Sequence, residues 1–128
     1  MAKLDHVSLA VRNWRVSRDW HTRLLGLKLE FEVPHGGAAG LGVAALQDDA
    51  GLTLFLEQVP DTVPVCGCIH TFQVQDVEAM HAKLSASGIQ FLKPPQKLFW
   101  GYGAEIADPD GHVIRLWDEK SMREKGGS

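Results

Sequence analysis

The stretch Asp5-His-Val-Ser-Leu-Ala-Val-Arg-Asn13 returns in outline later in the chain as Ile69-His-Thr-Phe-Gln-Val-Gln-Asp76. In both stretches apolar residues alternate with others, which is the pattern of a strand with two distinct faces. Each stretch ends on a residue that caps a helix N-terminus well. When Val11 is superposed on Val74, the two caps also coincide. An internal repeat of this length predicts two copies of one structural module.

The first copy continues with a predicted helix and three predicted strands. Val16, Trp20 and Leu24 recur at helical spacing, so they predict the buried face of a helix that ends at Gly26. The strands are predicted from alternation and turn residues at Leu27 to Val33, Gly42 to Leu46 and Leu52 to Val59, with a glycine-rich loop at 34–40.

The second copy follows the same order. Val77, Met80 and Leu84 share one face of a predicted helix that ends at Gly88. A short extended segment at 89–92 is then expected to break at the Pro94-Pro95 pair, and two strands close around the Asp108-Pro-Asp-Gly111 turn.

The predicted fold class is therefore α+β, with two β-α-β-β-β modules in a single domain over residues 1–128. Module one covers 4–59, a linker covers 60–66 and module two covers 67–119. A sheet with one helix on its outer face leaves an inner face to be covered. We expect two mixed sheets to form a cup around a shared cavity, with the helices outside.

Composition excludes several classes of partner. The chain has 128 residues, is 45% hydrophobic, carries a net charge of −3 and has no run of basic residues. Binding to nucleic acid is therefore not expected. No apolar stretch approaches the ~20 residues of a membrane helix, so a cytoplasmic protein is expected. A zinc site is not expected, because further cysteines to complete it are lacking. Cys66 and Cys68 are interpreted as two reduced thiols, since a reducing compartment disfavours disulfides.

The predicted last strand carries Val113, Arg115 and Trp117 on one face. A guanidinium beside a large aromatic ring suits a flat or anionic organic molecule, whereas it repels a divalent cation. This face therefore predicts a binding site for an organic ligand.

Five segments together resemble the vicinal oxygen chelate superfamily, which includes glyoxalase I, extradiol dioxygenases and bleomycin-resistance proteins. The resemblance covers about residues 4–119 and is nearest to the metal-free bleomycin-resistance-like branch. It implies a cup-shaped sheet of paired modules and a homodimer. The segments are Asp5–Val11, Leu24–Leu27, Phe72–Asp76, Trp100–Gly101 and Asp108–Gly111.

In metal-dependent members, the resemblance implies ligands on the first and last strands of each module. Carried over, these positions are His6, Ile69, Arg115 and either Phe55 or Glu57. At best His6 and Glu57 remain as a metal-ligand pair. No metal and no other cofactor is therefore predicted.

The predicted ligand-binding residues lie on the expected cavity face or at its rim. Arg115 either clamps an anionic group of a ligand or forms an ion pair with Glu57. Trp20 is interpreted as core and Trp14 is left open, while His21, His35, His81 and His112 are expected to be exposed. The predicted set is His6, Phe55, Glu57, Thr71, Gln73, Trp100, Arg115 and Trp117.

Three functions are compatible with these residues. The first is a non-catalytic protein that sequesters an aromatic or anionic compound, for example an antibiotic or another toxic compound. The second is a divalent-metal-dependent lyase, isomerase or dioxygenase that uses His6 and Glu57 with a third ligand. The third is metal-free catalysis, with His6 or Glu57 as general base near Arg115.

Overall fold

The computed structural model describes residues 1–127 and divides the chain into two compact units, of which the first is Met1–Cys66 and the second begins at Gly67. The first unit has a four-stranded sheet in the order β1-β4-β3-β2, in which β1 is parallel to β4 and the other neighbours are antiparallel. Its elements are β1 (His6–Val11), α1 (Trp14–Leu25), β2 (Lys28–Val33), β3 (Val43–Gln47) and β4 (Thr53–Gln58).

The second unit repeats this arrangement, with a sheet in the order β5-β8-β7-β6. It adds a short third helix after the last strand. Its elements are β5 (Ile69–Gln73), α2 (Val77–Ala86), β6 (Phe91–Leu98), β7 (Gly101–Ala107), β8 (Val113–Trp117) and α3 (Glu119–Lys125). The predicted α+β class with two β-α-β-β-β modules is confirmed. Within residues 1–127, none of the helices has the length and apolar character needed to span a bilayer.

The two predicted helix starts are also confirmed. The Asn13 side chain accepts hydrogen bonds from the first turn of α1, and Asp76 does the same for α2. Each satisfies backbone N–H groups that lack a partner within the helix. At the other end of α1, Gly26 has φ 72°, a left-handed conformation that glycine adopts without strain.

The buried face of α1 differs from the prediction. Trp14, Ser17 and His21 are buried, whereas Val16 is exposed and Trp20 is only half-buried. Trp14 reaches the core because a Cβ at Gly42 would lie 2.1 Å from its indole nitrogen, so only glycine leaves room for the ring. The helical spacing of Val16, Trp20 and Leu24 is real, but these residues line a groove of about 270 Å³ with Asp19 and Arg23. Trp20 is therefore not the core tryptophan.

Two of the four histidines that were expected to be exposed are buried. The Nδ1 of His21 donates to the Ser17 carbonyl at 2.7 Å, one turn earlier in α1. His112 lies in the β7–β8 turn, where its Nδ1 accepts from the Cys68 amide at 3.3 Å. An imidazole that is hydrogen-bonded to a backbone group can be buried at little cost in free energy. The residues next to each histidine in the sequence do not indicate that such a hydrogen bond forms. His35 is exposed as expected, whereas His81 is half-buried.

The Pro94-Pro95 pair does not end the extended segment that precedes it. β6 runs through both prolines, with a register shift between Lys93 and Gln96. β6 lies at the edge of its sheet, so the missing amide hydrogens interrupt few ladder hydrogen bonds. The prediction of a break was therefore wrong.

The third helix was missed by the sequence analysis, and Asp118 holds it in place. One carboxylate oxygen of Asp118 accepts from the Ser121 amide at 2.6 Å, and the other accepts from the Val77 amide at 2.7 Å. Asp118 thus caps α3 and also binds the first turn of α2. Burial of this carboxyl acts to raise its pKa, but the hydrogen bonds from Val77 and Ser121 outweigh burial and hold the pKa of Asp118 below its usual range.

We predict that Asp118→Ala lowers the free energy of unfolding by about 2 kcal/mol at neutral pH, because both helix starts lose an acceptor. A lowered folded-state pKa means that the ionised carboxylate stabilises the protein above about pH 4, the unfolded-state value, and that this contribution is lost as the pH falls through the folded-state pKa. Urea unfolding between pH 7 and pH 2.5 measures the effect.

Asp118→Asn is the matched control, since it keeps one acceptor oxygen and removes the charge. The stability difference between the wild type and Asp118→Asn should shrink as the pH falls. A difference that stays constant over this range would contradict the assignment of a stabilising charge to Asp118.

Candidate functional site

Each sheet has one face against its helix and an opposite face, here called the open face. On the second sheet, β5 and β8 place four of the predicted residues in register, Thr71 beside Arg115 and Gln73 beside Trp117. Thr71 and Gln73 are exposed, and Arg115 and Trp117 are half-buried. Alternating neighbours on β8, Ile114 and Leu116, are buried on the helix side. The predicted orientation of the last strand is therefore confirmed.

Arg115 has an acidic partner within its own sheet. Its Nε lies 3.2 Å from a carboxylate oxygen of Glu105, its register neighbour on β7. Glu105 is 8% exposed, and the Arg115 side chain is 23% exposed. A carboxylate this buried needs a charged or hydrogen-bonding partner. The ion-pair partner of Arg115 is therefore Glu105 and not Glu57, which was the alternative expected from the sequence.

The same oxygen of Glu105 also fixes Trp100. The Trp100 indole donates to it at 3.0 Å, so one carboxylate oxygen accepts from both an indole and a guanidinium. Trp100 lies against Gly103, where a Cβ would come within 2.5 Å of its ring. Glycine at this position therefore lets the indole approach the strand closely.

Aromatic rings surround the charged end of Arg115. The guanidinium carbon is 5.3 Å from the centre of the Phe99 ring and 5.7 Å from that of Trp100. Phe99 is 87% exposed, although large apolar side chains are usually covered. We call Phe99, Trp100, Glu105 and Arg115 the Arg115 cluster. It presents two rings and a guanidinium, an arrangement suited to a planar organic molecule.

The first sheet carries an aromatic group on its open face. His6 stacks on Phe55 with ring centres 4.0 Å apart, and Phe31 meets Phe55 edge-on at 5.7 Å. The Nδ1 of His6 also lies 2.8 Å from the carboxylate of the neighbouring Asp5. These contacts hold the His6 ring parallel to Phe55.

Glu57 lies on the same open face and binds a loop. One of its carboxylate oxygens accepts from the Ala38 amide at 2.9 Å. Gly37 lies close to this carboxylate and has φ 86°. A Cβ at this position would lie only 3.0 Å from the Glu57 side chain. The glycine-rich loop at 34–40 is thus tied to β4 through Glu57.

The parallel registers resolve which residue of β4 corresponds to Arg115. Ser8 pairs with Phe55, and Thr71 pairs with Arg115. Because superposing Val11 on Val74 also aligns Ser8 with Thr71, Phe55 is the counterpart of Arg115. By the same count, Glu57 corresponds to Trp117. Of the positions that the family uses for metal ligands, His6 alone then carries a side chain that binds divalent ions well.

The remaining pair, His6 and Glu57, does not fit a shared divalent ion. His6 pairs with Thr53 across the strands, so Glu57 lies four residues further along, about 13 Å by strand rise. Two ligands of one ion must bring their donor atoms within about 4 Å of each other. Within residues 1–127, no three His, Cys, Asp or Glu side chains are grouped so that they would hold a metal ion.

Two residues of the Arg115 cluster, Phe99 and Glu105, were missed by the sequence analysis. A usable signal for Glu105 was present. A hairpin closed by Asp108-Pro-Asp-Gly111, with Ala107 opposite Val113, places Glu105 opposite Arg115 by counting back two residues. Phe99 had no such signal, because its exposure depends on the conformation of the turn between β6 and β7.

The chain thus consists of two β-α-β-β-β modules, each with polar and aromatic residues on its open face. This is the module that the resemblance to the vicinal oxygen chelate superfamily implied. The family model described as glyoxalase/bleomycin resistance protein/dioxygenase superfamily matches residues 3–116. The chain belongs to this superfamily.

Individual relatives are distant. The uncharacterized protein YetH of Bacillus subtilis strain 168 is 22% identical over 115 residues, which cover 89% of this chain and 96% of YetH. TnmS3, an antibiotic binding protein from Streptomyces sp. CB03234, has a TM-score of 0.74 at 24% identity, with 92% and 96% of the two chains covered. A superfamily member from Sphaerobacter thermophilus DSM 20745 has a TM-score of 0.75 at 19% identity, with 92% and 98% covered. At these identities the structural likeness establishes the fold.

Proposed function

We propose that this chain is a small-molecule binding protein that captures an aromatic compound without transforming it. The observation that supports this most strongly is the Arg115 cluster, in which an exposed phenyl ring, an indole and a guanidinium lie together on an open sheet face. Stacking supplies affinity, and the guanidinium supplies orientation. The description of the structural relative TnmS3 as an antibiotic binding protein supports sequestration of an antibiotic or another toxic compound.

The proposed ligand contacts fall on both open faces. On the second sheet they are Thr71, Gln73, Trp100, Arg115 and Trp117, to which the structure adds Phe99 and Glu105. On the first sheet they are His6, Phe55 and Glu57.

Binding without catalysis is favoured by the state of the carboxylates. Both Glu57 and Glu105 already accept hydrogen bonds from fixed donors. A carboxylate oxygen that is occupied by such donors is less available to accept a substrate proton. The proposal therefore needs no cofactor and resembles the metal-free bleomycin-resistance-like branch. It places the protein in the cytoplasm, where Cys66 and Cys68 remain free thiols, and cell fractionation tests that placement.

We predict saturable binding of a planar aromatic probe, naphthalene-2-carboxamide, detected through the indole N–H signals of the four tryptophans in ¹⁵N-labelled protein. The Trp100 signal should shift most, because its indole lies within the Arg115 cluster. Trp100→Phe should keep the fold and weaken binding about tenfold, the effect of about 1.4 kcal/mol of lost stacking and orientation.

Trp20→Phe is the matched control, since Trp20 lies on the helix groove away from the open face, and it should leave the affinity unchanged. Chromatography of the probe after incubation should return it intact. Conversion of the probe would support catalysis, and the absence of any saturable indole shift would contradict binding at this face.

We further propose that the protein forms a homodimer through the β2 side of the first sheet. β2 is an edge strand whose apolar residues Leu29, Phe31 and Val33 are all exposed. An edge strand with exposed apolar residues is normally covered by another element or another chain, because it otherwise promotes aggregation. A second copy is the proposed partner, because the resemblance to the superfamily implies a homodimer of identical chains.

Light scattering coupled to size exclusion should give a mass of about twice 14.1 kDa for the wild type. Leu29→Glu should give the single-chain mass, since it places a charge in the proposed interface. Leu92→Glu alters an exposed leucine on β6, an edge strand of the second sheet, and serves as the control. A wild-type monomer, or dissociation by Leu92→Glu alone, would exclude the β2 interface.

A further inference from the structure

The Arg115 guanidinium is not a free positive charge. Its Nε donates to Glu105 at 3.2 Å, and Glu105 is almost fully buried in register with it. The two side chains therefore form a pair with no net charge. Any ligand that approaches Arg115 also lies within a few ångströms of a fixed negative charge.

The far end of Arg115 keeps hydrogen-bonding capacity. A guanidinium has five N–H groups, of which the Nε–H is used by Glu105. Within residues 1–127, neither Nη nitrogen of Arg115 has a hydrogen-bond or ion-pair partner. This end lies beside the rings of Phe99 and Trp100. A ligand stacked on those rings therefore has N–H donors within reach of an oxygen atom at its edge.

These two features select among ligands by charge. An anionic group gains from the guanidinium, but it loses hydration and is repelled by Glu105, because the Coulomb energy decreases only slowly with distance. A neutral carbonyl oxygen accepts the same Nη hydrogen bonds without that repulsion. From the sequence alone, Arg115 was expected either to bind an anionic group of a ligand or to pair with Glu57, because its pairing with Glu105 depends on the register of two strands.

We infer that the second open face prefers an uncharged planar aromatic molecule with a carbonyl-type oxygen acceptor, and that Glu105 is the residue that disfavours anions. This inference rests on the proposed function and adds the chemical class of the ligand. Arg115 acts as a hydrogen-bond donor, and Glu105 positions both Arg115 and the Trp100 indole.

The test compares two probes of the same shape, naphthalene-2-carboxamide and naphthalene-2-carboxylate, at pH 7. Both carry a carbonyl oxygen, and only the second is charged. In the wild type the amide should bind at least about threefold more tightly than the carboxylate, which corresponds to a small free-energy difference. Binding of the amide should not depend on salt, because no net charge is exchanged.

Glu105→Gln removes the negative charge and keeps a side-chain oxygen for Trp100 and Arg115. It should reverse the preference, improving carboxylate binding relative to the amide by about tenfold or more. Carboxylate binding to this variant should weaken as sodium chloride is raised. Glu124→Gln makes the same change in net charge at an exposed site on α3 and should keep the wild-type ratio.

The outcomes separate the inference from the proposed function. Tighter binding of the carboxylate by the wild type would overturn the inference while leaving ligand capture intact, and this comparison does not require any variant to fold. An unchanged ratio in a folded Glu105→Gln protein would overturn the role of Glu105. If neither probe shifts any indole signal, the proposed function itself fails at this face.

Discussion

The carboxylate of Glu105 is the constraint on which the second open face depends. It is nearly buried, and one oxygen accepts from both the Arg115 guanidinium and the Trp100 indole. A buried carboxylate without such donors is costly. The register of β7 and β8 places Glu105 beside Arg115, and Gly103 leaves room for the indole. The local fold therefore fixes the orientation of a cation and an aromatic ring, which would lower the entropic cost of the proposed ligand binding.

Under the proposed function, the same constraint explains how this fold can present a surface for organic ligands. Arg115 lies at the position that the resemblance assigns to a metal ligand on the last strand, and its counterpart on β4 is Phe55. A guanidinium paired with a carboxylate and a phenyl ring stacked on His6 both suit organic ligands. On each sheet, these side chains add to the aromatic and hydrogen-bonding surface of the open face.

Most of the fold followed from the sequence, because it is encoded in local signals. These local signals are the alternation of apolar residues in the strands, the helix caps Asn13 and Asp76, and Gly26 at the end of α1. Each of them influences only residues close to it in the sequence. The errors have a common cause in tertiary contacts. Trp14 is buried because Gly42, distant in sequence, leaves space for it, and His112 is buried because Cys68 donates to it. No periodicity within a single element reports such contacts.

The candidate site was predicted less completely, for the same reason. Arg115, Trp117, Thr71 and Gln73 were placed on one face correctly, since that follows from strand geometry alone. Glu105 required the pairing of two strands, and Phe99 required the conformation of a turn. Without this pairing, the ion pair of Arg115 was assigned to Glu57, which was wrong. Pairing between strands therefore determines the electrostatics of this face.

A double-mutant cycle on Glu105 and Arg115 tests the central interaction most directly. Urea unfolding of the wild type, Glu105→Gln, Arg115→Met and the double variant should give a favourable coupling of about 1–2 kcal/mol, allowing for partial exposure of Arg115. The exposed Glu119–Arg123 pair on α3, with charged atoms 3.9 Å apart, is the reference and should give no more than about 0.5 kcal/mol. Additive effects of the Glu105 and Arg115 substitutions, within about 0.5 kcal/mol, would contradict this account.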